Sequence, residues 1–204
     1  MRQRQASRNP PPGGPNRRHP ARRSQINKVR IIGGTHRSRL IEFPDAEGLR
    51  PTPDRVRETL FNWLGQTLYG KRCLDLFAGS GALGFEAASR GAEQVLMVEN
   101  NRSVYQQLQA NAKKLGLINV ALRCEDGLKF AVQENGLFDV VFLDPPFKSD
   151  FLSRILPQLE KSLTPGGQVY LESGTAFEPD AAWRVVKRAR AGAVHYQLLE
   201  REQA

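Results

Sequence analysis

Apolar and polar positions divide the chain into two regimes. Up to residue 24 almost nothing apolar is available to bury. From Lys28 onward, apolar runs of strand length alternate with stretches in which apolar residues recur every three or four positions. The runs at 72–77, 94–99, 119–123, 138–143 and 167–172 predict strands, and 82–89, 102–115, 127–134 and 151–163 predict helices between them. Such alternation predicts an α/β fold with a mostly parallel sheet and helices on both faces. Two further strand-like runs, 183–190 and 193–199, are joined by Ala191-Gly192. They predict a closing hairpin, giving seven strands with an antiparallel element at the C-terminal edge.

Ahead of this body, Val29, Ile31 and Ile32, then Gly33-Gly34, then Leu40-Ile41-Glu42-Phe43 predict a small β-hairpin over 28–43. Thr52-Pro53 predicts a helix start, with Thr52 as N-cap and Pro53 in the first turn. Val56, Leu60, Trp63, Leu64 and Leu68 define its apolar face, leaving Arg55, Glu58 and Asn62 on other faces.

Charge sharpens the division. The chain has 204 residues and a formal net charge of +9. Residues 1–30 hold nine Lys and Arg and no acid, while the remainder carries 21 basic and 21 acidic side chains. The excess therefore sits on an N-terminal arm, 1–24, ahead of one domain over 25–204. Five prolines in its first 20 residues and the lack of apolar side chains predict disorder. Arg17, Arg18, Arg22 and Arg23, with Lys28 and Arg30 beyond them, suit phosphate contact with a nucleic acid. A solubilising tail and a transit peptide are the alternatives, the latter disfavoured by the Pro10–Gly14 break. Only two cysteines occur, Cys73 and Cys124, which excludes a disulfide scaffold and a cysteine zinc site; no metal is expected. The apolar runs are too short to span a bilayer, and no secretory segment is evident, so a cytoplasmic location is expected.

The densest chemistry lies in Leu74-Asp75-Leu76-Phe77-Ala78-Gly79-Ser80-Gly81-Ala82-Leu83-Gly84. Here Gly79-x-Gly81-x-x-Gly84 follows a predicted strand and opens a helix, the context of a ligand-cradling loop. Two acids narrow the ligand. A pyrophosphate would be repelled by Asp75, four residues before Gly79, whereas S-adenosylmethionine brings a cationic amino group and a sulfonium. Glu99 ends the next strand, where an acid accepts both ribose hydroxyls. Asp126 suits the adenine amino group at the same sheet edge, or an N-cap for the helix after it; the two are compatible.

A second cluster follows the strand at 138–143. Asp144-Pro145-Pro146-Phe147 places polar and rigid residues where open α/β sheets bind ligands. An exocyclic amine is a poor nucleophile because its lone pair is delocalised into the base. The Asp144 carboxylate and the Pro145 carbonyl could hold its two N–H groups and aim the lone pair at a methyl carbon. Asp144 also suits the departing proton, Pro146 stiffens the turn, and Phe147 offers a face for a base to stack on.

These motifs resemble the class I S-adenosylmethionine-dependent methyltransferases of exocyclic amines. Arg30-Ile31-Ile32-Gly33-Gly34 and the block from Gly48-Leu49-Arg50-Pro51-Thr52-Pro53 to Phe61-Asn62-Trp63-Leu64 resemble the RsmD family more closely. That family forms N2-methylguanine at position 966 of bacterial 16S ribosomal RNA. The resemblance implies a Rossmann-like seven-stranded sheet, and a donor pocket built from Asp75, Phe77, Gly79, Gly81, Glu99 and Asp126. It implies that Asp144–Phe147 is catalytic. It also brings Thr52, Arg57 and Asn62 to the border of the donor pocket, with a capped, salt-bridged surface helix as the other reading. It implies 16S rRNA within an assembled 30S particle as substrate, and a monomer. Asn100-Asn101 departs from the expected acidic and basic pair, and the arm lies outside the shared region. Adenine-N6 methylation stays open, since Asp-Pro-Pro-Phe serves either amine. A nicotinamide enzyme is disfavoured by Asp75, and a non-catalytic RNA-binding module by Asp144–Phe147.

Overall fold

The computed structural model describes residues 26–46, 48–133, 136–145 and 151–202. The arm with Arg17, Arg18, Arg22 and Arg23 lies outside the described residues, as do Pro146 and Phe147. A two-stranded antiparallel hairpin, β1 (Ile26–Arg30) and β2 (Leu40–Pro44), precedes helix α1 (Asp54–Leu64). Then come β3 (Arg72–Asp75), α2 (Ala82–Ser89), β4 (Gln94–Glu99), α3 (Arg102–Leu115), β5 (Val120–Cys124), α4 (Gly127–Gln133), β6 (Phe138–Leu143) and α5 (Phe151–Leu159). The chain closes with β7 (Leu163–Ser173), β8 (Trp183–Ala191) and β9 (Val194–Arg201). Strands β3 to β9 form one sheet in the order β5-β4-β3-β6-β7-β9-β8. The expected seven-stranded Rossmann-like sheet is therefore present, parallel from β5 to β7. The antiparallel strand is β9, inserted between β7 and β8, so β8 forms the edge.

The central strands β3 and β6 are buried on both faces, as their apolar runs require, while the edge strands β5 and β8 are mostly half-buried or exposed. Val56, Leu60 and Phe61 of α1, Leu83 and Phe85 of α2, and Leu108 of α3 cover one face. Phe130 of α4 and Ile155, Leu156 and Leu159 of α5 cover the other, with Trp183. The hairpin joins the first face through Ile41 and Phe43. Asn111 of α3 fixes it by accepting from the Glu42 N–H at 3.1 Å and donating to the Glu42 carbonyl at 2.7 Å. No helix among the described residues is long and apolar enough to cross a membrane.

Several boundaries differ from the sequence expectation for local reasons. Strand β3 stops at Asp75 rather than 77, because the chain turns and Ala78 N–H bonds the Val98 carbonyl at 2.9 Å. Strand β7 begins at Leu163, paired with Phe138. An irregularity then absorbs residues 164–167 before Gln168 pairs with Val140. Helix α5 ends at Leu159, followed by one 3₁₀ turn (Glu160–Ser162). Pro157 removes a donor near its end and crowds the preceding turn. Thr52 is not the cap of α1. Pro53 holds that position without a side-chain bond.

Candidate active site

In the sheet order, connections run outward from β3 in one direction and from β6 in the other. The crevice between these two strands is the topological switch point, where open α/β sheets take ligands beyond the carboxyl ends. Asp75, the last residue of β3, is level with Phe142 of β6. Two residues on, and therefore on the same sheet face, stands Asp144. Leu143 pairs with Leu171, so the next residues, Asp144 and Glu172, lie side by side at the ends of β6 and β7. On the other flank Asp75 is level with Met97, and Glu99 follows two residues later. Strand alternation thus collects four acids from four adjacent strands on one rim.

The glycine loop bends over this rim. Gly79 and Gly81 adopt φ of +49° and +81°, which side chains rarely tolerate. A Cβ on Gly81 would meet Phe85 at 2.5 Å and Leu108 at 2.7 Å, and one on Gly79 would meet Leu49 at 2.9 Å. Gly79 N–H donates to Glu99 Oε2 at 2.9 Å, and Asn101 N–H donates to Oε1 at 2.7 Å. The Glu99 carboxylate is thereby aimed along the loop, with lone pairs left for further donors. Asn101 caps α3 by accepting from Ser103 and Val104. Phe77 meets Phe151 edge to face at 5.0 Å between ring centroids. Asp126 Oδ1 accepts from Lys129 N–H at 3.0 Å, so it caps α4 at the neighbouring strand end.

Burial dominates the electrostatics. Asp75 is buried and accepts from Gly84 N–H at 2.9 Å. Its pKa is nonetheless pushed up to about 7, first by desolvation and then by the charges of Glu99 and Glu172. Asp144 is raised well above the usual carboxylate range by desolvation, then by Glu172 and Asp75. Glu172 is raised by desolvation, but hydrogen bonds from Tyr170 and Thr52 oppose the rise. Repulsion among these acids is relieved by protons or by a cation, so the rim selects positively charged ligands.

Not every residue singled out in the sequence reaches this rim. Thr52 does, its hydroxyl lying beside Glu172 and opposing the rise in its pKa. Arg57 instead lies wholly buried beneath the hairpin, donating to Glu86, Asp54 and the carbonyls of Arg30 and Thr52. A salt-bridged surface helix is likewise not what the structure holds at this position. Asn62 is exposed and faces a cavity lined by Gly33, Gly34, Ser89 and Arg90, at the C-terminal end of α2 and away from the glycine loop. Lys28 pairs with Glu42 at 3.6 Å, and the Arg30 side chain is exposed on the hairpin. Pro145 is buried directly after Asp144. Glu172 was passed over in the sequence, although it ends an apolar strand just as Glu99 does.

The comparisons agree with this architecture. The family model described as conserved hypothetical protein 95 matches residues 29–200. The Escherichia coli (strain K12) protein named ribosomal RNA small subunit methyltransferase D is 42% identical over 185 residues, 88% of this chain and 93% of its own. Its Haemophilus influenzae namesake is 39% identical over 182 residues, 85% and 94% of the two chains. The Escherichia coli protein yhhF, whose solved structure was provisionally assigned as a methyltransferase, superposes with a TM-score of 0.78 at 40% identity, covering 87% of this chain and all of that one. An RNA methyltransferase from Salinibacter ruber, solved with S-adenosyl-L-homocysteine, shares the fold at a TM-score of 0.60 and 20% identity, covering 76% and 96%. By the family model this chain belongs to the conserved hypothetical protein 95 family, and by its curated relatives to the family of the small-subunit ribosomal RNA methyltransferase D proteins.

Proposed function

We propose that the protein transfers the methyl group of S-adenosylmethionine to the exocyclic N2 amine of a guanine in 16S rRNA, at the position equivalent to 966. The observation that carries this reading is that Asp75 is level with Phe142, two residues before Asp144, across the β3/β6 switch point, close enough for their charges to interact. One acid faces the glycine loop and the other opens the Asp-Pro-Pro-Phe segment. The family relationship to small-subunit ribosomal RNA methyltransferases supports the substrate class.

The residues fit a sulfonium donor. Gly79 and Gly81 form a cradle that a Cβ would fill, and Glu99 offers acceptors for ribose hydroxyls. Asp75 spends hydrogen-bonding capacity on the backbone and acts on a cation mainly through its field. Phe77 and Asp126 border the adenosine end. Bound there, the donor supplies an activated methyl carbon. Asp144 and the Pro145 carbonyl receive the amine's N–H groups and orient its lone pair, catalysis by position. Asp144 then takes up the proton. Pro146 and Phe147 complete this segment, Phe147 as a stacking face for an unstacked base. The arginines of the arm, with Lys28 and Arg30, contact RNA phosphates. The substrate is the assembled 30S particle and the enzyme works as a cytoplasmic monomer.

Mass spectrometry of 16S rRNA from cells with and without this gene tests the reading. Loss of one N2-methylguanine is the expected result. Loss of an N6-methyladenine, or no loss, overturns it. Parallel assays on naked rRNA and on 30S subunits from the deletion strain resolve the form of the substrate.

A further inference from the structure

We propose that Glu172 is a positioning residue for methyl transfer, fixing Asp144 as the group that receives the proton leaving the amine. This rests on the role of Asp144 proposed above. The two carboxylates follow the paired residues Leu143 and Leu171 on adjacent parallel strands and point to the same sheet face. Glu172 is only 3% exposed. A buried carboxylate costs stability that an apolar side chain at the end of β7 would not. The fold nonetheless builds a dedicated seat for it. Tyr170 Oη donates to Glu172 Oε1 at 2.9 Å, and the Thr52 hydroxyl, just before α1, lies beside the same carboxylate. Tyr170 is itself fully buried, its ring against Phe142 and Tyr196.

The groups facing this carboxylate from every side are then known. Asp144 follows β6, Asp75 ends β3, Tyr170 shares β7, and Tyr196 is level with Glu172 on β9. The Tyr170 hydroxyl donates to Glu172, which favours its charged form. Its fixed negative charge strengthens the hold of Asp144 on a proton. In the transfer, the amine nitrogen forms a bond to the methyl carbon while the carbon–sulfur bond breaks, its electron pair staying on sulfur. One N–H proton moves to the Asp144 carboxylate and leaves from there to water. The sulfonium and carboxylate charges disappear together, so atoms and charge balance.

The test measures kcat and KM against pH on 30S subunits from the deletion strain, with S-adenosylmethionine binding measured separately. Transfer needs ionised Asp144, so activity falls as pH drops through its pKa. Glu172→Gln keeps the shape and an acceptor for Tyr170 but removes the charge. The expected result is an acidic limb displaced to lower pH and a plateau kcat lowered about tenfold, with donor affinity reduced by less than kcat. Tyr170→Phe, which removes the donor that keeps Glu172 charged, should displace the limb the same way by less. It serves also if Glu172→Gln does not fold. An unmoved limb in the variants that fold overturns the proposal. Asp144→Asn in parallel separates the two claims: full activity there would defeat the role of Asp144 itself.

Discussion

Arg57 Nη1 stands 3.3 Å from Glu86 Oε2, and neither side chain has any exposed surface. The pair joins α1 to α2 beneath the hairpin. Glu86 also accepts from Arg90 Nε at 2.8 Å and from the Ile32 N–H at 2.8 Å. Arg90 in turn lies over the Phe61 ring, 4.7 Å from its centroid. The network is satisfied on every side, which is the condition for tolerating buried charge.

Removing one member should therefore be severe. Arg57→Ala should lower folding stability by about 3 kcal/mol, because the Glu86 carboxylate is left under-compensated and the Arg30 and Thr52 carbonyls lose a donor. Arg57→Lys should recover little, since one ammonium cannot replace the forked donor set. Urea denaturation followed by circular dichroism checks both, and wild-type midpoints would contradict the assignment.

Gly81→Ala should weaken donor binding more than tenfold. The new methyl group would collide with Phe85 and Leu108, and φ of +81° is strained for alanine, so the loop must shift. Isothermal titration with S-adenosylmethionine reads the loss directly. A variant that folds normally and binds as tightly as wild type would show that the loop is not the cradle.

Donor affinity should rise with pH through about 7, where Asp75 ionises. The stability sign is the reverse. A carboxyl whose folded pKa lies above its unfolded value binds its proton more tightly when folded, so the stability present at low pH is lost as pH rises toward about 7. Asp75→Asn should flatten both profiles and leave the apo fold at least as stable as wild type at pH 8. Titration calorimetry and thermal melts from pH 5.5 to 8.5 measure them.

Asp144→Ala should abolish transfer while leaving donor affinity within about tenfold, since its partner is the acceptor amine. Single-turnover assays with radiolabelled donor, alongside donor binding, distinguish this from a collapsed pocket. Retained transfer would remove Asp144 from the chemistry.

Deleting residues 1–24 should weaken RNA binding strongly at low salt and only slightly at high salt, because each phosphate contact releases counterions. The slope of log affinity against log salt should become shallower. An unchanged slope would make the arm a passive tail.

Periodicity alone determined most of the fold. β4, β6, α2 and α3 have the limits read from the sequence, because their hydrophobic periods are long and their flanking residues unambiguous. The glycine loop and Asp144 were legible because their residue types sit at fixed offsets from strand ends, which a linear reading preserves. What the tertiary structure decided depends on which strands become neighbours. Glu172 lies 97 positions from Asp75 and 28 from Asp144, and only the order β3-β6-β7 brings their charges together. Thr52 read locally as a helix cap, yet its hydroxyl lies beside Glu172. Arg57 read as a surface or pocket side chain, yet the hairpin and α2 close over it. Charge–charge energies depend on distance and dielectric, and neither exists along the sequence until the sheet assembles and water leaves.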